Sequence, residues 1–190
     1  MAWRVSSAEI IDTGQVNISQ TKAEADAILR TLPLAQRAAQ IRYGVNWQWT
    51  AVKMQYERLM ARRPMQPGDL VEAALPEHMR GVVDMDFLVT AVRRLLRVAE
   101  QARRSGCDTN ADLKVPIRIF NSRWSHVVDV RNTLEHVDCP GVPIVPMQSS
   151  DPDGRWLLLT PGNHLSVQDL FEDAAKLCKV ICKVIEPYER

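Results

Sequence analysis

The chain has 190 residues, 46% apolar and 25% charged, which suits one globular domain with a real core. Its 24 basic and 23 acidic residues leave a formal charge of +1, which excludes a bulk pull of the whole surface toward nucleic acid or anionic lipid. Any contact with a polyanion must therefore be local. The opening MAWRVSSAEIIDTG lacks the apolar core of a secretory signal, and no stretch nears the roughly 18 apolar residues of a membrane span, so a soluble, cytoplasmic protein without membrane contact is expected.

In chain order, residues 18 to 43 are rich in Ala, Gln, Arg and Leu, with Ser19 as N-cap, Gly44 as stop and a bend or split at Pro33. A second helix is expected from Asn46, where Trp49, Val52, Tyr56, Leu59 and Met60 recur at three and four, ending before Pro64. Trp47, Trp49 and Trp124 read as packing residues. Residues 65 to 81, punctuated by Pro67, Gly68 and Pro76, read as a connector with room for one helical turn.

The third helix is expected from Val83 to Arg104, with Phe87, Leu88, Ala91, Val92, Leu95, Val98, Ala99 and Ala102 inward. Its other side carries Arg93, Arg94, Arg97, Arg103 and Arg104, by default a solvated face and, in the sharper reading, one that steers phosphate. The fourth helix is expected from Pro116 to Val137, roughly 33 Å at 1.5 Å per residue. VPIVPMQ and RWLLLT around SSDPDG then predict a hairpin over about 142 to 160, with Pro143 and Pro146 holding its first run to an edge. In the last helix Ser166 and Asp169 resemble a capping box ahead of the stripe Leu170, Ala174, Leu177, Val180, Ile181 and Val184. The fold class is all-α: one domain over 1 to 190, an up-and-down bundle of about five helices with a small β-hairpin before the last.

Cys107, Cys139, Cys178 and Cys182 form no CxxC pair and read as reduced thiols, the last two as small apolar residues one helical turn apart. His78 and His164 lie in connectors, and His126 and His136 lack the further ligands that a metal site needs.

On a wheel of the fourth helix, Phe120, Trp124, Val127, Val130 and Leu134 gather on a core side, and Ser125, Asp129, Asn132 and His136 on a polar side. Arg131 falls among the apolar positions, a poor place for a permanent charge unless an anion meets it. Asp84 is one candidate partner, with the plainer alternative that it caps the third helix; Glu135 is another, as a surface i,i+4 pair. Given the Arg, Asn and His content, R-N-x-x-x-H is expected by chance about 0.01 times in such a chain, so chance alone is a weak explanation.

RNTLEH, residues 131 to 136, resembles the R-x4-6-H motif of HEPN domains, the higher eukaryotes and prokaryotes nucleotide-binding superfamily, in the form with Asn directly after Arg. SRWSHVVDV and DMDFLVTAVRRLLRVAE resemble uncharacterised bacterial proteins of that kind. The resemblance is clearest over residues 80 to 138 and extends to the first two helices by architecture; the hairpin is no general feature of the superfamily. It implies a helical homodimer with two motifs at a shared cleft and, in active members, a metal-independent endoribonuclease needing no cofactor. His136 would then be the acid or base, Arg131 the phosphate clamp and Asn132 the orienting amide, with Asp84, Asp129 and Glu135 in support. The expected partners are a second copy, RNA or a nucleotide and, in a toxin setting, an antitoxin-like protein. The alternative is a noncatalytic nucleotide-binding or assembly domain.

Overall fold

The structure, a computed structural model, describes residues 18–62, 70–125, 127, 148–150, 156–160 and 163–189. They are mostly helical. Among them are α1 (Ile18–Thr31), α2 (Leu34–Met60), α3 (Val71–Arg104), α4 (Lys114–Arg123) and α5 (Val167–Ile185), followed by a 3-10 turn, Glu186–Tyr188. None of these helices is long and apolar enough to cross a membrane.

The α1–α2 junction falls at Pro33, as expected, because proline fixes its own φ and cannot donate to the preceding turn. Arg37 closes the corner: Nε donates to the Leu32 carbonyl at 2.6 Å, Nη2 to that of Arg30, and Nη1 to that of Ser105 at 2.7 Å. One guanidinium thus serves carbonyls at the ends of α1 and α3, where the helix dipole favours a cation. Gly106 follows with φ of 88°, a left-handed turn that suits glycine after a helix end.

Two expected boundaries are absent. Gly44 does not stop a helix, because α2 runs unbroken from Leu34 to Met60. A Cβ at position 44 would lie 3.4 Å from Val98 Cγ2 of α3, ordinary van der Waals contact, so the glycine faces α3 without being required by its packing. Its intrinsic cost of about 1 kcal/mol is small beside the packing of α2 on α3. Likewise α3 begins at Val71, taking in Pro76 and Gly81 where a connector was expected. Pro76 forfeits only the bond to the carbonyl of Glu72 near the helix start, and the helix continues. Ser19, expected to cap α1, lies inside its first turn.

This longer α3 overturns the N-cap reading of Asp84, which lies in mid-helix and is only 5% exposed. Its Oδ2 accepts from Arg62 Nε at 2.7 Å, while Arg62 Nη1 reaches Glu77 at 2.7 Å. The chain just beyond α2 is thereby clamped to α3. The bond to Asp84 holds the Arg62 guanidinium above its ordinary pKa, as burial of a carboxylate beside a permanent cation requires.

Leu88, Ala91, Val92, Leu95, Ala99 and Ala102 of α3 are buried as expected, against Ile41, Val45, Val52 and Leu59 of α2 and Leu170, Leu177, Ile181 and Ile185 of α5. Phe87 departs from the expectation: it is 53% exposed and continues an outer row of Leu75, Met79 and Val83. Tyr56 stacks on Phe171 at 3.9 Å between centroids, and Trp49 flanks the same ring at 5.2 Å. Trp47 also corrects the packing assignment, since it lies 61% exposed beside Tyr43.

Ser166 Oγ accepts from the Asp169 amide at 3.2 Å, so the serine caps α5 as its position predicts. Before α5, residues 148–150, 156–160 and 163–166 run as short antiparallel segments, with Leu157 opposite Ser149 on one side and Ser166 on the other. The rest of the expected hairpin span lies outside the described residues.

Candidate functional site

Leu113 is fully buried and its amide donates to Asp108 Oδ2 at 3.2 Å, which sets where α4 begins. Pro116 occupies the first turn, where its missing N–H costs nothing. Ile117 and Phe120 face the core.

The fourth helix does not reach Val137 as one rod. It ends at Arg123: Trp124 has φ −111° and ψ 27°, and the Val127 amide bonds back to the Trp124 carbonyl at 3.0 Å. The break coincides with an anchor. Trp124 is 5% exposed and its indole N–H donates to Asp173 Oδ2 at 3.1 Å. Arg123 donates to the same oxygen at 2.7 Å and to Asp169 at 3.2 Å, and its guanidinium lies 5.1 Å from the Trp124 ring centroid. Lys176 supplies a further donor to Asp173 at 2.9 Å. The end of α4 is thus pinned to α5. Phe120, Trp124 and Val127 are buried as the wheel predicts. Asp129, Arg131, Asn132, Glu135 and His136, with Val130 and Leu134, lie outside the described residues. Of the predicted site residues the structure therefore places Asp84, and gives it Arg62 as partner.

The arginine run of α3 does not act as one face. Arg104 pairs with Asp26 at 3.0 Å and lies 3.9 Å from Glu100, while Arg94 and Arg97 are exposed. Arg103 instead lines an open cleft of about 540 Å³ between α3 and α4, opposite Lys114 and Arg118. Asn121 and Ser122 add neutral hydrogen-bonding groups, and Ile117 supplies an apolar wall. Lys114, Arg118, Asn121 and Ser122 recur at helical spacing, a signal legible in the sequence but overlooked beside the motif.

A second cluster joins α2 to α5. Arg42 donates to both Glu189 carboxylate oxygens at 2.6 Å and to the Cys182 carbonyl at 3.4 Å. Cys178, buried and one turn before Cys182, donates to it and draws its pKa down to about 6, with Arg42 adding to the effect; Cys178 is itself pushed up. Both side chains also pack in or against the core, Cys178 buried and Cys182 half-buried, as their spacing in an apolar stretch predicts. Cys107 is buried and Cys139 lies outside the described residues. No group of three metal-ligating side chains occurs among the described residues.

Compared with family models, curated proteins and solved structures, the chain finds no match.

Proposed function

We propose that the chain is a HEPN-like protein, an up-and-down helical bundle with a small β-hairpin before its last helix, that pairs into a cytoplasmic homodimer and cleaves RNA without a metal. The observation that carries this reading is the RNTLEH sequence following α4 in a mostly helical chain. The anchoring of Arg123 and Trp124 to Asp173 supports it, because the segment leading into the motif has a fixed point of departure.

In this mechanism Arg131 holds the scissile phosphate and stabilises the charge that gathers on it. His136, an imidazole and so the side-chain type whose ordinary pKa lies closest to neutrality, takes the proton of the ribose 2′-hydroxyl or gives one to the departing 5′-oxygen. Asn132 orients the imidazole or the phosphate through its amide, with Asp129 and Glu135 as polar neighbours. The 2′-oxygen bonds to phosphorus as the bond to the 5′-oxygen breaks, leaving a 2′,3′-cyclic phosphate and a 5′-hydroxyl.

The test is incubation of purified protein with RNA in EDTA. Wild type is expected to yield cyclic-phosphate ends, and His136→Ala to lose about 100- to 10,000-fold in rate, the range of general acid–base catalysis. Equal cleavage by wild type and His136→Ala, or none with any RNA, would sink the proposal.

One observation favours the noncatalytic reading. Leu75, Met79, Val83 and Phe87 are between 42% and 53% exposed in one row of α3, the kind of surface by which an assembly domain meets a protein, an antitoxin-like partner included. Partner binding unchanged by His136→Ala, with no nuclease activity, would decide for it.

A further inference from the structure

We infer that the cleft between α3 and α4 is a binding site for the phosphate backbone of an RNA strand, held by Arg103, Lys114 and Arg118. The inference rests on the ribonuclease reading for the choice of RNA as the polyanion; the site itself rests on geometry.

Three cations from two helices converge on one cleft in a protein whose net charge is only +1. Elsewhere the bracing guanidiniums meet carboxylates: Arg42 meets Glu189, Arg62 meets Asp84, and Arg123 meets Asp169 and Asp173. Among the described residues Arg103, Lys114 and Arg118 have no such partner. Like charges gathered in a concave surface repel one another, and an anion entering the cleft relieves that repulsion. The one acidic group on the wall, Glu100, lies 3.9 Å from Arg104, so part of its charge is already offset.

The lining also selects a kind of anion. Two planar guanidiniums offer paired N–H donors to phosphate oxygens and an ammonium adds a point charge. Asn121 and Ser122 can serve ribose hydroxyls or base edges, and Ile117 an apolar ring face. A volume of about 540 Å³ lies within the range of sites that take a nucleotide-sized group.

The test uses the full chain and a fluorescent 2′-O-methyl oligouridine of twelve units, which cannot be cleaved through its 2′-oxygen, with anisotropy read across a salt series. Arg103→Ala/Lys114→Ala/Arg118→Ala is compared with Lys53→Ala/Lys179→Ala/Lys183→Ala, which removes equal charge from exposed sites on α2 and α5. At about 0.7 in logarithmic slope per phosphate contact on a single strand, the cleft variant is expected to lose about 2 from the slope of log K against log salt. Between 50 and 200 mM salt, wild-type affinity should then fall about twentyfold more than that of the cleft variant. The single substitution Arg118→Gln, expected to lose about 0.7 of slope, serves if the triple variant folds poorly. Overturning results are equal losses in the cleft and control variants, no binding by wild type, or polyglutamate competing as well as RNA.

The two proposals fail separately. Binding through the cleft without cleavage of unmodified RNA supports the cleft and removes the nuclease. Cleavage that depends on His136 with the same KM in the cleft variant as in wild type removes the cleft and keeps the nuclease.

Discussion

Arg62 and Arg118 illustrate two uses of one side chain. Arg62 lies two residues beyond α2 with side-chain exposure of 23%, bonded to an Asp84 carboxylate that is 7% exposed. Arg118 faces an open cleft beside Lys114 and across from Arg103. The first charge is held by the protein's own carboxylates and braces two helices. The second shares its cleft with two further cations and the single carboxylate of Glu100, an arrangement that suits an external anion. Position relative to a carboxylate, more than residue type, separates structure from recognition here.

The largest expected effect probes the packed side of that comparison. Leu95→Ala removes a fully buried side chain and is expected to destabilise by about 2–5 kcal/mol in urea titration; a change under about 1 kcal/mol would refute the central α2–α3 core. Arg62→Ala leaves the Asp84 carboxylate buried without its cation. It is expected to cost about 2 kcal/mol, below the roughly 3–5 for fully buried pairs because Arg62 is partly solvated. Asp84→Asn in the Arg62→Ala background should restore part of the loss, since the side chain left unpaired then carries no charge. Failure of that rescue would argue against a buried-charge penalty.

Smaller still is the stability effect at the cleft. Arg118→Ala is expected to change unfolding free energy by less than about 0.5 kcal/mol, as most exposed residues do; a loss as large as that of Arg62→Ala would erase the distinction between the two sites. A last test reads chemistry alone. Cys182 has its folded pKa lowered to about 6, so its thiolate forms as pH rises through that value. Alkylation by iodoacetamide, followed by mass spectrometry, should reach half its maximal rate near pH 6 and move upward in Arg42→Met, which removes a stabilising cation. A wild-type midpoint in the ordinary thiol range would contradict the Cys178–Cys182–Arg42 cluster.

Much of the helical body is legible from local pattern. The buried residues of α3 and α5 follow the 3.6 period closely, and Ser166 is readable as a cap because capping needs only a side-chain oxygen and an amide a turn away. The errors have a common cause. Gly44, Pro76 and Gly81 weigh about 1 to 3 kcal/mol against a helix each, and long-range packing, invisible at those positions, outweighs them. Trp124 errs the opposite way: its periodicity continues a helix, but its indole and the Arg123 guanidinium both bind Asp173 where the backbone turns. Phe87 fits an inward stripe by spacing and Trp47 reads as a packing residue, yet no neighbouring helix among the described residues covers them.

Composition, periodicity and the spelling of RNTLEH were sufficient for the helical class, the identity of most core residues and a ribonuclease hypothesis, because these depend on residues near one another in the chain. Tertiary structure decided that Asp84 belongs to Arg62, that Cys182 lies against Arg42, and that Arg103 shares a cleft with Lys114 and Arg118. Charge pairing falls off over a few ångströms of space, and only the folded chain determines which charges come that close.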